Sequence, residues 1–163
     1  MRYLYCILAI TVMFLSCKKD NKEAGTVEFY LLKSYQPVAG KCQVDPNVSI
    51  LEDSALVKNQ DILAYFKVNT QFSISDNSMK KIKALPNRTP FAVVVDKQVI
   101  YYAILIPSYS SSSCDHSITI DYVIAGNNRL SMNLGYAGAD PDIDDQRNNP
   151  KLIATLRKQG KLR

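Results

Sequence analysis

The sequence predicts an α+β protein: a mostly antiparallel sheet of about five to seven strands with two short helices, stacked as a layered sandwich. Three observations predict it. Several stretches alternate apolar and polar residues with the period of two that a half-buried strand requires. Pairs of these stretches are separated by short turn sequences, Asp96-Lys97 and Gly126-Asn127-Asn128, as in hairpins. Two other stretches space their apolar residues every third or fourth position between a capping residue and a Pro or Gly.

From Thr26 to Tyr35, Val27, Phe29 and Leu31 fall on one side and Glu28 and Tyr30 on the other, a first strand. Gln36 to Pro46 contains Pro37, Gly40 and Pro46 and reads as a loop carrying Cys42. Val48 to Leu51 is a short strand, and Glu52 to Gln60 fits a helical turn or a loop equally. Ile62, Ala64, Phe66, Val68, Thr70, Phe72 and Ile74 then alternate with Leu63, Tyr65, Lys67, Asn69, Gln71 and Ser73, which predicts one long, central strand. Ser75 or Asp76 caps a short helix whose Met79, Ile82 and Leu85 share a face; lysines 80, 81 and 83 favour its negative end, and Pro86 stops it. Phe91 to Val95 is apolar on both faces, so this strand should lie under a helix. After the Asp96-Lys97 turn a partner strand runs from Gln98 to Ile106.

A serine-rich loop, Ser108 to Ser113, ends at Cys114-Asp115-His116. Ile118, Ile120, Tyr122 and Ile124 form an alternating face, and after the Gly126-Asn127-Asn128 turn Leu130, Met132, Leu134 and Tyr136 return, a second hairpin. Gly138 to Asn149 is an acidic loop. Asn149 then caps and Pro150 starts a last helix that turns Leu152, Ile153 and Leu156 to one side and ends at Gly160.

The start of the chain reads as an address. Met1-Arg2 is followed by an apolar run from Tyr3 to Leu15 and then Ser16-Cys17-Lys18-Lys19-Asp20, the charged start, apolar stretch and small residue before a cut site of a secretory leader. The run is short of the roughly 20 residues a membrane span needs. Residues 1–16 are therefore read as leader and residues 17–25 as a polar linker anchored at Cys17, leaving a single domain over residues 26–163. Two or more acyl chains, palmitate among them, would anchor the chain stably where one holds it only marginally. Cys6 leaves with the leader, so Cys42 and Cys114 either pair in a disulfide, which an exported compartment permits, or stay as two buried thiols. The net charge of +5 is spread without a basic block, which together with export disfavours nucleic acid as a partner.

The opening resembles bacterial lipoprotein signals, in which the cysteine after the cut site is acylated, and Cys17-Lys18-Lys19-Asp20 is similar to the openings of Bacteroidetes lipoproteins. The run from Thr89 through Phe91-Ala92-Val93-Val94-Val95-Asp96-Lys97-Gln98 to Tyr101 resembles a hairpin of small, uncharacterised exported lipoproteins of that group. It is also similar to a periplasmic segment of the protein-export protein SecD. Arg147 and the stretch from Leu152 to Leu162 look like the last helix of the same lipoproteins. The resemblance implies a ferredoxin-like or SecD-head-like fold, attachment to the cell envelope at the outer membrane on its periplasmic or surface face, and nothing catalytic. It brings no translocase role, since the membrane helices of SecD have no counterpart here.

Candidate chemistry is sparse. His116, the only histidine, sits beside Asp115 and near Ser110 to Ser113, the residue types of a serine hydrolase but without the Gly-x-Ser-x-Gly elbow. Asp140, Asp142, Asp144 and Asp145 are carboxylates of the kind that hold Ca²⁺, but the glycine and distal glutamate of an EF-hand loop are missing. No nucleotide, zinc or haem motif is present, and no cofactor or metal is expected. The sequence thus implies a lipid-anchored envelope protein with a non-catalytic binding domain and an envelope protein as partner. An envelope hydrolase using the serine-rich loop and His116, or a calcium-binding structural domain, are the alternatives.

Overall fold

The computed structural model describes residues 24–140 and 142–163; the leader, Cys6 and Cys17 lie outside the described residues. The architecture is α+β, with one eight-stranded sheet and two helices among the described residues. The elements are β1 (Val27–Ser34), β2 (Ile50–Leu51), a 3-10 turn (Asn59–Asp61), β3 (Ile62–Phe66), β4 (Gln71–Ile74), α1 (Asp76–Lys83), β5 (Pro90–Val95), β6 (Gln98–Leu105), β7 (Cys114–Asp121), β8 (Arg129–Tyr136) and α2 (Pro150–Lys158). The spatial order is β2-β1-β5-β6-β7-β8-β4-β3, antiparallel throughout except between β6 and β7.

The sheet is strongly curled. Five inter-strand steps separate β1 from β4, roughly 24 Å in a flat sheet, yet the rings of Phe29 in β1 and Phe72 in β4 meet edge to face at 5.0 Å. The concave face holds the main core, built from Phe29, Tyr65, Phe72, Val93, Leu105 and Ile120 with Met79 and Ile82 of α1 and Leu152, Ile153 and Leu156 of α2. α2 packs against β1 and β5, so the doubly apolar β5 does lie under a helix. The two outer edges are partly covered. Val57 bridges Phe29 at the β1 edge, and the chain end lies along β3, where the Tyr65 N–H donates to the Lys161 carbonyl and the Arg163 N–H to the Tyr65 carbonyl, both at 2.8 Å. Covering an edge in this way removes a template for unwanted pairing.

Local signals fix most boundaries. The Ser75 hydroxyl accepts the Ser78 N–H at 3.3 Å, and the Asn149 side chain accepts the Lys151 N–H at 2.9 Å ahead of Pro150. Asp96 and Lys97 both take positive φ, 50° and 64°, the geometry that turns a two-residue hairpin with the twist of its strands.

The long central strand expected over Ile62 to Ile74 is instead a hairpin at the far edge of the sheet. Thr70 takes φ 49° and its N–H closes on the Lys67 carbonyl at 3.4 Å, turning the chain between β3 and β4. A register shift between Ile62 and Ala64 also moves Tyr65 inward, where it is fully buried, and leaves Val68 95% exposed at the turn. Ile124 likewise misses the core, because β7 ends at Asp121 and Ile124 belongs to the following loop.

Candidate functional site

The face of the sheet opposite the helices carries a smaller apolar cluster, Val44, Ile104, Ile106 and Cys114. Its cover is the loop after β1, fastened by a disulfide between Cys42 and Cys114 with the Cα atoms 5.1 Å apart. The Arg88 guanidinium reinforces this corner, donating to the Ser113 carbonyl at 3.0 Å and approaching Cys42 Sγ at 3.4 Å. Behind the fastened loop lies a cavity of about 470 Å³ between Tyr35, Arg88 and Ile104.

In front of it lies a groove of about 440 Å³, which originates in the strand pairing. β6 and β7 are paired only across Ala103–Leu105 and Ile118–Ile120. The residues just before these on each strand, Ile100 to Tyr102 and His116 to Ser117, line the groove instead. Lys41, Val44 and Pro46 of the fastened loop form one wall, and Asp142, Ile143, Asp144 and Gln146 the other. The connection between the two strands, residues 106–113, runs back over the sheet and is held down by Tyr136, whose hydroxyl lies 2.9 and 3.0 Å from the carbonyl oxygens of Ser108 and Ser110.

His116 stands in β7 rather than in the loop expected from the sequence. Its Nδ1 is 3.2 Å from Asp140 Oδ2, and its Nε2 is 3.8 Å from the more exposed Asp115 carboxylate. Asp140 is delivered by a tight return of the chain. Gly135 takes φ 77°, and a Cβ there would lie 2.7 Å from the Gly138 carbonyl and 3.4 Å from Asp140, so only glycine lets this segment approach β8. Among the described residues no serine hydroxyl is hydrogen-bonded to His116, and the Ser110 hydroxyl accepts the Ser112 N–H at 3.2 Å.

The acidic loop divides its carboxylates rather than gathering them. Asp140 holds His116 and accepts the Asp142 N–H, Asp144 accepts from Gln146 at 2.7 Å, and Asp145 takes two bonds from the Arg147 guanidinium, at 2.8 and 2.7 Å. Those bonds hold the Asp145 carboxyl below its ordinary value against the opposing effect of burial. Arg147 also donates to the Met132 carbonyl at 3.0 Å, which ties the loop to β8. Among the described residues, no three His, Cys, Asp or Glu side chains converge as metal ligands. Asp142 and Asp144 stay exposed on the groove's rim.

Sequence reasoning reached Cys42, Cys114, His116 and the acidic loop. It missed Lys41 and Val44, for which the one available signal was the cysteine pair, since pairing Cys42 with Cys114 places the residues around each beside the other. Among the described residues no helix is long and apolar enough to cross a membrane. The fold and the groove define an α+β domain with a partly open sheet seam. No protein-family model, curated protein or solved structure matches the chain.

Proposed function

We propose that this is an exported, lipid-anchored protein of the bacterial cell envelope, held at the outer membrane through Cys17, whose domain acts by binding a partner rather than by catalysis. The observation that carries the reading is the Cys42–Cys114 disulfide. Disulfides persist in oxidising compartments and are rare in reducing ones, and this one joins the two cysteines left once Cys6 departs and Cys17 is acylated. The groove at the β6–β7 seam supplies a concave surface, and the likeness to exported lipoproteins agrees with the leader. In cells fed labelled palmitate, the native protein should incorporate label and lose residues 1–16, and Cys17→Ala should incorporate none. An unlabelled protein beginning elsewhere contradicts the anchor.

A second reading, an envelope hydrolase, draws on the His116–Asp140 pair, which has the geometry of a base held by its orienting carboxylate. It predicts ester hydrolysis that disappears in His116→Ala. Equal rates in the native and variant proteins dispose of it.

A further inference from the structure

A β-strand edge without a partner strand presents backbone donors and acceptors at a fixed spacing, and the ligand that matches that spacing is another extended polypeptide. Such edges usually occur at the ends of a sheet. Here one is found inside it: β6 is paired with β5 on one side from Gln98 to Ile104, with a bulge at Ile100, but with β7 on the other only from Ala103 onward. The groove occupies the unpaired part, with a floor of Ile100 to Tyr102 on β6 and of His116 and Ser117, up to the paired Ile118, on β7. Each of these stretches spans about three residues, roughly 10 Å of strand at 3.3 Å per residue.

The charge on the rim is opposite to that of the molecule. The chain carries a net +5, yet Asp142 and Asp144 project from one wall and Asp115 and Asp140 flank His116, with Lys41 as the opposing cation. Asp145, neutralised by Arg147, takes no part. A local inversion of this kind attracts a positively charged ligand and repels an acidic one.

We infer that the groove is a strand-addition site for an extended, cationic segment of a partner protein. The segment pairs through its backbone with the free edge at Ile100–Tyr102, sets alternate apolar side chains against Val44, and turns lysine or arginine side chains toward Asp142 and Asp144 on the opposite wall. The inference rests on the reading of the domain as a binding module, but not on the lipid anchor.

The test uses the full-length protein, disulfide intact, in a non-ionic detergent, and three fluorescent hexapeptides: alternating lysine and valine, alternating glutamate and valine, and the lysine peptide with a central proline, which removes a backbone donor and cannot continue a strand. The lysine–valine peptide should bind saturably and more weakly as salt rises. The other two should bind about tenfold or more weakly, and so should the lysine peptide to an Asp142→Asn/Asp144→Asn variant that melts like the native protein, two exposed ion pairs being lost. No binding, equal binding of all three peptides, or native affinity in the double variant would overturn the site. Binding that needs the aspartates but tolerates proline would reduce it to surface charge and overturn strand addition. Peptide binding by a protein that carries no acyl group would leave this inference standing while the anchor fails.

Discussion

The seam between β5 and β6 registers six residue pairs, from Pro90↔Ile104 to Val95↔Gln98, whereas its neighbour between β6 and β7 registers three. The first is closed by a two-residue turn, so each strand finds its partner with little chain entropy to overcome. The second is parallel, and parallel neighbours usually need a crossover of about a dozen residues or more. This chain makes the return over residues 106–113, running back across the sheet. The strands converge at one end and part at the other. Where pairing is local, apolar alternation and a turn suffice; where it is not, the structure relies on pins drawn from distant sequence: Cys42 to Cys114, Arg88 to Ser113, and Tyr136 to Ser108 and Ser110.

The largest effect should come from the covalent pin. Replacing Cys42 and Cys114 together with serine frees a separation of 72 residues and should lower stability by about 4 kcal/mol on the chain-entropy account, read as a fall in the urea midpoint. Hydrogen exchange in that variant should rise around the β6–β7 seam and change little along Ala92–Val94, and equal loosening of both seams would break the comparison. A smaller effect is expected of Gly135→Ala. A left-handed φ costs a side-chain-bearing residue about 1–2 kcal/mol, and the Cβ would press on the Gly138 carbonyl, so the variant should melt earlier and loosen Asp140 from His116.

The smallest effect is electrostatic. Because Arg147 holds the Asp145 carboxyl below its ordinary value, the pair's contribution is fully present above the unfolded carboxylate pKa of about 4 and is lost as pH falls through the lower folded value. The exposure of Asp145 keeps it modest. The stability difference between the native protein and Asp145→Asn should therefore shrink as pH is lowered below about 4; a difference that stays constant would show that the pair does not tie the acidic loop.

Most of the frame was legible in the sequence because its signals are local. The apolar run Phe91–Val95, the turns at Asp96-Lys97 and Gly126–Asn128, and the caps Ser75 and Asn149 each act within a few residues, and the α+β class follows from them. Tyr65 and Val68 were misread because a bulge and a left-handed Thr70 reset the alternation, and neither residue type announces such a conformation. The groove was less legible still. Lys41, Tyr102, His116 and Asp142 come from four separate parts of the chain and meet because a seam fails to close, a property of topology that periodicity does not carry.

Amide hydrogen exchange of the free protein, followed residue by residue, reads that seam most directly. Across Ile100–Tyr102 and His116–Ser117, amides directed into the groove should exchange far faster than those that Tyr101 or Tyr102 directs at β5, while Ala92–Val94 stays protected throughout. Protection along both stretches equal to that of Ala92–Val94 would mean that β6 and β7 are zipped along their whole length and that there is no open edge to bind anything.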